Sequence, residues 1–561
     1  MRGCDAMKGN NFLIALLIWM ALIFPACAQQ LDMHYFTQMP IVHDGRLKPM
    51  GRMAQLTLQK ITREKQSIAD STQWLAALLF DPSDADKPAI FKVENALLRH
   101  KLGLKENAEA HYSFKELNDA MVRNSELILS IRDKNAKDLT KQEAALFELY
   151  ATVITYEQLK DAMTLFLPLK TEGGQPVSLV DLPAEVQEKD IYKNLISKGE
   201  NNLIFLAVPV RETDYLPWVT PWMTYRTGNP VKPFWNKLAA AYVTQDNAAW
   251  QQISKTLYEK TLTEASEENL DFRLKTELLY LAVNPYLVSL CLYALGMVFI
   301  ALKRRQISLA MISAGMGFHV LGLVARIIIL QRPPVSDLYE SLLFVGVIVV
   351  ALALLYGWRK KENAALITAS TLGIILHLVG FWLGGEYDTF KVLQAVLDTK
   401  FWLATHVLII TGGYALCLLT SAMAHYCLWR YPGGRKTRNK LYLMALVSLV
   451  FICTGTLLGG IWADQSWGRF WGWDPKENGA LLIALWLIWL LHGRISRHIS
   501  DFYFVMGMAA LGLVVAMSWI GVNLLGVGLH SYGFLQGSVS GLVALFIIEL
   551  SYFFYCKRRH V

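Results

Sequence analysis

The sequence predicts a mainly α-helical, polytopic membrane protein: a bundle of about nine transmembrane helices, preceded by a signal peptide and a mostly helical extracytoplasmic domain. Three observations predict it. Apolar residues make up 54% of the 561, mean hydropathy is +0.31, and the surplus lies after residue 284. The first half is polar with helical periodicity. The chain also opens with a basic start, an apolar stretch from Phe12 to Phe24, and Pro25-Ala26-Cys27-Ala28.

That opening has the order of a secretory signal peptide, so residues 1–28 are expected to be a signal peptide or an uncleaved anchor. Cys27 as a lipidation site is a further alternative, with Phe24 and Pro25 making a poor lipobox. Residues 29–283 form the extracytoplasmic domain. Gln142–Leu159 and Trp250–Leu262 repeat apolar residues every three and four, as amphipathic helices do, and Leu216 to Trp222 reads as a Pro- and Trp-rich loop.

From Asn284 to residue 561, runs long enough to cross a bilayer fall near 285–302, 307–329, 341–358, 363–384, 402–428, 441–461, 479–492, 502–523 and 537–555. Charge orients them. If residue 283 is outside, the inner loops carry Lys303-Arg304-Arg305, Arg359-Lys360-Lys361, the basic residues between Arg430 and Lys440, Arg494 with Arg497, and Lys557-Arg558-Arg559. The outer loops carry only Arg332, Lys391, Lys400, Arg469 and Lys476, as the positive-inside rule requires. The net charge of +8 therefore reflects topology, not nucleic-acid binding. Of the seven cysteines no two form a C-x-x-C pair, which argues against a disulfide framework or zinc site.

Three features face outward on this topology. Residues 462–478 interleave tryptophans with glycines and end in acids: Trp467-Gly468-Arg469-Phe470-Trp471-Gly472-Trp473-Asp474-Pro475-Lys476-Glu477. An interfacial belt explains one or two tryptophans. This density reads instead as a flat shelf for a planar apolar ligand, with glycine admitting close approach. His406 stands near the outer start of a span and His530 follows the eighth. Two imidazoles flanking such a shelf suit bis-histidine ligation of a heme iron. His492 ends the span after the shelf, toward the inner side, as a ligand in transit or a helix cap. His319 and His377, also within spans, read as structural. Arg326 needs an anion, either heme propionates or Glu340.

These motifs resemble a known family. The Trp467 to Glu477 run is similar to the "WWD" signature of heme-handling proteins of cytochrome c maturation. Thr405-His406-Val407, Leu491-His492-Gly493-Arg494, Gly528-Leu529-His530-Ser531-Tyr532-Gly533 and the Arg332 to Ser341 turn resemble its cytochrome c synthetase (CcsA/ResC, system II) branch. Pro40 to Met50 is similar to the end of the CcsB portion of CcsB–CcsA fusions, although the earlier CcsB spans are missing. The resemblance implies a protein of the bacterial inner membrane that receives heme b and promotes its thioether attachment to C-x-x-C-H of apocytochrome c, a heme lyase activity. It implies His406 and His530 as axial ligands and His492 as a transit ligand. Trp467, Trp471, Trp473, Asp474 and Glu477, together with Arg326, are expected around the ring. For His492, a second intramembrane histidine is missing altogether, recruited from His319 or His377, or supplied by a separate CcsB/ResB-like subunit; the separate subunit is the reading taken. A thiol-reducing protein is a further expected partner. Two competing classes are a heme exporter that forms no bond, and a glycan or lipid transferase using Asp464, Asp474 and Glu477.

Overall fold

The computed structural model describes residues 31–134, 138–169, 177–179, 204–210, 218–223, 231–384, 388–393, 399–431, 435–522 and 538–560. The expected signal peptide, Cys4, Cys27 and the Gly528–Gly533 motif lie outside the described residues. The chain divides into two compact units, Met1–Leu278 and Leu279–Val561.

The first unit is helical with short hairpins. Helices Lys141–Asp161 and Asn247–Ala265 enclose the two amphipathic stretches predicted above. Thr140 and Glu143 start the first with reciprocal side-chain-to-backbone bonds, satisfying two amide groups that a helix N-terminus otherwise leaves open. The expected loop around Trp222 is in part a strand, since Trp218–Val219 pairs antiparallel with Val208–Pro209. Trp218 and Val219 are both buried, and an aromatic beside a β-branched residue favours pairing there over a free loop. Strands β1 (Pro40–His43) and β2 (Arg46–Pro49) form a hairpin turned by Asp44 and Gly45, both at positive φ (51° and 75°). Arg46 donates two 2.7 Å bonds to Glu277, clamping the hairpin to the helix that ends this unit. The Asp44 carboxyl is held far below the usual range, chiefly by its hydrogen bond with His43.

In the second unit, nine helices among the described residues are long and apolar enough to cross a membrane. They are labelled α1 (Pro285–Ala301, the apolar part of a helical run that starts at Leu270), α2 (Arg305–Leu330), α3 (Leu338–Lys360), α4 (Asn363–Gly384), α5 (Leu408–Trp429), α6 (Arg435–Trp467), α7 (Pro475–Ile495), α8 (Asp501–Trp519) and α9 (Ser538–His560). This is the polytopic bundle that the hydropathy pattern predicts, and every predicted run overlaps one helix. The run at 479–492 is a full-length span from Pro475, because Asp474 and Pro475 begin the helix in polar residues that hydropathy discounts.

Helices α1–α4 pack on one another, as do α5–α8, and α3 against α5 joins the two groups. Small residues set the close contacts that helices in lipid rely on. A Cβ on Gly413 would stand 2.8 Å from Ile452, and one on Gly507 2.5 Å from Leu490. Helix α9 lies against α8 with only 6% of its apolar window buried; His425 Nε2 meets Glu549 at 2.9 Å and the Tyr552 hydroxyl donates to the His425 carbonyl. The described cysteines, Cys291, Cys417, Cys427, Cys453 and Cys556, are all unbridged.

Candidate functional site

One end of the bundle holds a cavity of about 150 Å³ where α3, α5, α6, α7 and α8 converge. His406 reaches it from a single π-helical turn, Leu403–Val407, that precedes α5. Such a turn inserts one residue into the helical ladder and re-aims a side chain, which is why π turns recur at functional sites. His406 Nδ1 lies 2.8 Å from the Gly455 carbonyl. A carbonyl only accepts, so Nδ1 carries the proton and Nε2 keeps the lone pair, the tautomer a metal ligand requires. Glycines shape the facing wall. A Cβ on Gly459 would stand 2.7 Å from His406 Cε1, and one on Gly460 2.5 Å from the Phe470 ring.

The predicted loop 462–478 is shorter than the sequence suggested. Residues Trp462 to Trp467 are the last turns of α6, and Pro475 to Asn478 the first turn of α7. Nothing in Trp-Ala-Asp-Gln-Ser-Trp breaks a helix, so α6 runs on until Gly468, whose φ of 68° and N–H bond to the Asp464 carbonyl (2.8 Å) close it. Trp467 and Trp471 line the cavity. Trp473 stands outside it, 70% exposed, its ring perpendicular to that of Trp471 at 6.0 Å. Its backbone has φ 55°, a strained state for a bulky residue, which projects the indole outward.

Asp474 and Glu477 hold the loop in place through backbone contacts. Asp474 caps α7 by accepting from the Lys476 amide (2.9 Å), while Glu477 Oε2 accepts from the amides of Gly472 (2.9 Å) and Asp474 (3.1 Å). The two acids lock the loop onto the helix, which leaves them poorly placed for the acid–base work of a glycan transferase. Glu477 nevertheless forms part of the cavity lining.

Arg326 does not line the cavity. It is fully buried and donates to Glu340 Oε1 (2.7 Å), the Thr389 carbonyl (2.7 Å) and Thr389 Oγ1 (3.0 Å). Of the two anions considered for it, the structure supplies Glu340. That carboxylate also accepts from the Ser336 amide (3.0 Å) and hydroxyl (2.6 Å), so the buried charges meet four further donors and acceptors. His492 lies near the far end of α7, exposed, with Nδ1 3.3 Å from the Ile488 carbonyl. It shares an exposed stripe with Leu482, Leu485 and Trp489. His530 lies outside the described residues.

Several lining residues were not singled out in the sequence. Asp337 begins α3 by accepting from the Glu340 amide (2.7 Å), and burial, then the charge of Glu340, pushes its carboxyl up to about 6. Lys476 donates to the Trp519 carbonyl (2.8 Å), and Trp519 Nε1 donates to Ser341 Oγ (3.2 Å), tying α7, α8 and α3 together at the cavity floor. Tyr414 packs beside Trp519, ring centroids 5.4 Å apart. The density of tryptophan pointed to Trp467 and Trp471. Single residues far apart in sequence, such as Tyr414 and Trp519, carry no such local signal.

Residues 335–530 match the model of the cytochrome c assembly protein family. Protein NrfI of Wolinella succinogenes is 29% identical over 311 residues, covering 51% of this chain but only 34% of NrfI. The cytochrome c biogenesis protein CcsA of Guillardia theta is 31% identical over 292 residues, covering 45% of this chain and 93% of that protein. CcsA of Prochlorococcus marinus is 30% identical over 258 residues, or 39% and 81%. Near-complete coverage of CcsA proteins by a multi-pass helical bundle with this cavity means that the chain belongs to the CcsA family of cytochrome c biogenesis proteins.

Proposed function

We propose that this chain holds heme at the outer face of a bacterial inner membrane and promotes its covalent attachment to apocytochrome c. The observation that carries this reading is His406, which lines a cavity with Trp467 and Trp471 and whose Nδ1 proton is committed to the Gly455 carbonyl, leaving Nε2 as the ligating nitrogen. His406 and His530 are the proposed axial ligands, and the exposed Trp473 extends the aromatic surface on which the ring lies. Ligation from both sides shields the iron while the vinyl edge faces the incoming peptide. Each thiol of the C-x-x-C-H segment adds across one vinyl group: the sulfur bonds the carbon next to the ring and the thiol proton goes to the terminal carbon. The addition is balanced without any further reactant. The peptide's own histidine then replaces one protein ligand, which releases product.

Heme is proposed to arrive from the cytoplasmic side past His492. The exposed stripe of Leu482, Leu485, Trp489 and His492 supports a separate CcsB-like subunit seated along α7, since a lone imidazole facing lipid is costly.

The test is the visible spectrum of the purified protein beside its His406→Ala and His530→Ala variants. The expected result is a low-spin bis-histidine heme that is weakened or lost in each. Spectra unchanged in both variants would remove the proposed ligands. Reconstituted membranes that bind heme yet yield no thioether-linked cytochrome would turn the reading to export alone.

A further inference from the structure

A second constellation lies inside the α1–α4 half of the bundle, away from the cavity. His319 of α2 and His377 of α4 are 0% and 1% exposed, with ring centroids 4.4 Å apart and planes at 71°. Two tyrosines of α1 flank them. The Tyr286 ring lies 5.6 Å from His319 and 6.0 Å from His377, and the Tyr293 ring 6.2 Å and 5.5 Å. Glycines make the room: a Cβ on Gly322 would stand 2.6 Å from the Tyr286 ring, and one on Gly346 3.0 Å from His319 Cε1.

Hydrogen bonding leaves this cluster incomplete. His377 Nδ1 is 2.8 Å from the Gly373 carbonyl, so it carries the proton and Nε2 is the lone-pair nitrogen. His319 Nδ1 pairs with the Tyr293 hydroxyl at 3.2 Å. Among the described residues, His319 Nε2, His377 Nε2 and the Tyr286 hydroxyl are then buried without a hydrogen bond of ordinary geometry, although the His319 ring also faces the Leu343 backbone. These three atoms belong to rings of three helices whose centroids lie within 6.0 Å of one another in an apolar interior, and such atoms call for an occupant.

Their chemistry narrows that occupant. Rings 4.4 Å apart leave no space for a flat macrocycle between them, so it is small. The donors are two imidazole nitrogens and a phenol oxygen, all neutral, and among the described residues no three His, Cys, Asp or Glu side chains group around a metal. The neighbouring charges, Arg326 and Glu340, neutralise one another. Desolvating an ion costs roughly the square of its charge, so a neutral donor set in low dielectric selects a singly charged cation. Imidazole suits zinc, copper, iron and nickel. Of these, copper is the one with a stable singly charged ion. We propose that His319 and His377, with the Tyr286 hydroxyl as third donor, form an intramembrane site for Cu(I). The inference rests on nothing said above about heme.

The experiment titrates the purified full chain with Cu(I) under reductant, in competition with a colorimetric Cu(I) chelator, followed by X-ray absorption. The expected result is one Cu(I) per chain on nitrogen and oxygen ligands. Binding should be lost in the His319→Leu/His377→Leu double variant and at least 10-fold weaker in each single variant. His377→Met, which keeps a copper-binding atom in place, should retain the ion with one sulfur in its first shell. That variant also serves if the leucine variants fail to fold. Equal binding by wild type and double variant would place the copper on cysteines and overturn the site. No Cu(I) binding, no sulfur in His377→Met, or preferred retention of Zn(II) would overturn it as well.

Discussion

His406 Nδ1 lies 2.8 Å from the backbone carbonyl of Gly455, one turn of α6 before Gly459, whose missing side chain leaves room for the same imidazole. One helix therefore fixes both the tautomer of the ring and its position. Helix α6 has no side chain to mutate at the carbonyl, so the space at Gly459 is where this arrangement can be tested.

Gly459→Ala places a Cβ within 2.7 Å of His406 Cε1 and must displace the ring. In a helix interior the change is otherwise favourable by about 0.5–1 kcal/mol. The expected outcome is a thermal midpoint that holds or rises, with heme retention on purification falling on the order of 10-fold. Retention equal to wild type would show that the ring position does not govern binding.

Glu477 is expected to act as half of a cap, through amide bonds from Gly472 and Asp474, and not as a charge. Glutamine serves a capping box as well as glutamate. Glu477→Gln should therefore keep attachment activity within about twofold, while Glu477→Ala loosens the loop at a cost of about 1 kcal/mol. Attachment assays on the two variants decide this. Equal loss in both would assign the carboxylate charge itself to the reaction.

Removing one member of the buried Arg326–Glu340 pair strands the other. Arg326→Met should destabilise the bundle by about 3–5 kcal/mol, and the Arg326→Met/Glu340→Gln double variant should recover much of it. Melting of the detergent-solubilised proteins measures both. Were Arg326 instead a propionate ligand, the single variant would lose heme while melting normally.

Asp337 gives a pH signature. Its folded carboxyl titrates near 6, above the ordinary 3.8, so between those values the folded state holds a proton that the unfolded state has released. This contribution is fully present below about pH 4 and is lost as pH rises through about 6, amounting to roughly 3 kcal/mol. Asp337→Asn retains the cap on the Glu340 amide and removes the slope. Melting from pH 4 to 7 should flatten in the variant; an unchanged slope would assign it to another group.

The spans were legible because lipid imposes one rule on every residue that crosses it, and runs such as 363–384 match their helix end to end. Helix ends were less legible. The indoles of Trp462 and Trp467 marked a loop to the eye, yet the backbone through them stays helical until Gly468 turns it. Composition reports what a side chain prefers to touch, whereas a backbone stops where its dihedrals require. His406 and the paired tryptophans could be found because each sits in a dense local motif. The Arg326–Glu340 pair was named with an alternative, because sequence separation alone does not say which anion a buried guanidinium meets. Tyr414, Trp519 and the His319–His377 contact depend on helices meeting in space and left no trace in spacing.

Helix α9 buries so little of itself against protein that lipid supplies most of its surroundings, and a few contacts, among them His425–Glu549, the Tyr552 hydroxyl and the ring pair Tyr431–His560, pin its height. Bilayer thickness then becomes a variable of the chemistry: a helix that slides to match a thinner acyl layer pulls on the chain joining it to α8, and that chain contains His530. Membranes of different depth would thus tune one of the two proposed iron ligands while leaving the other, anchored by α6, where it stands.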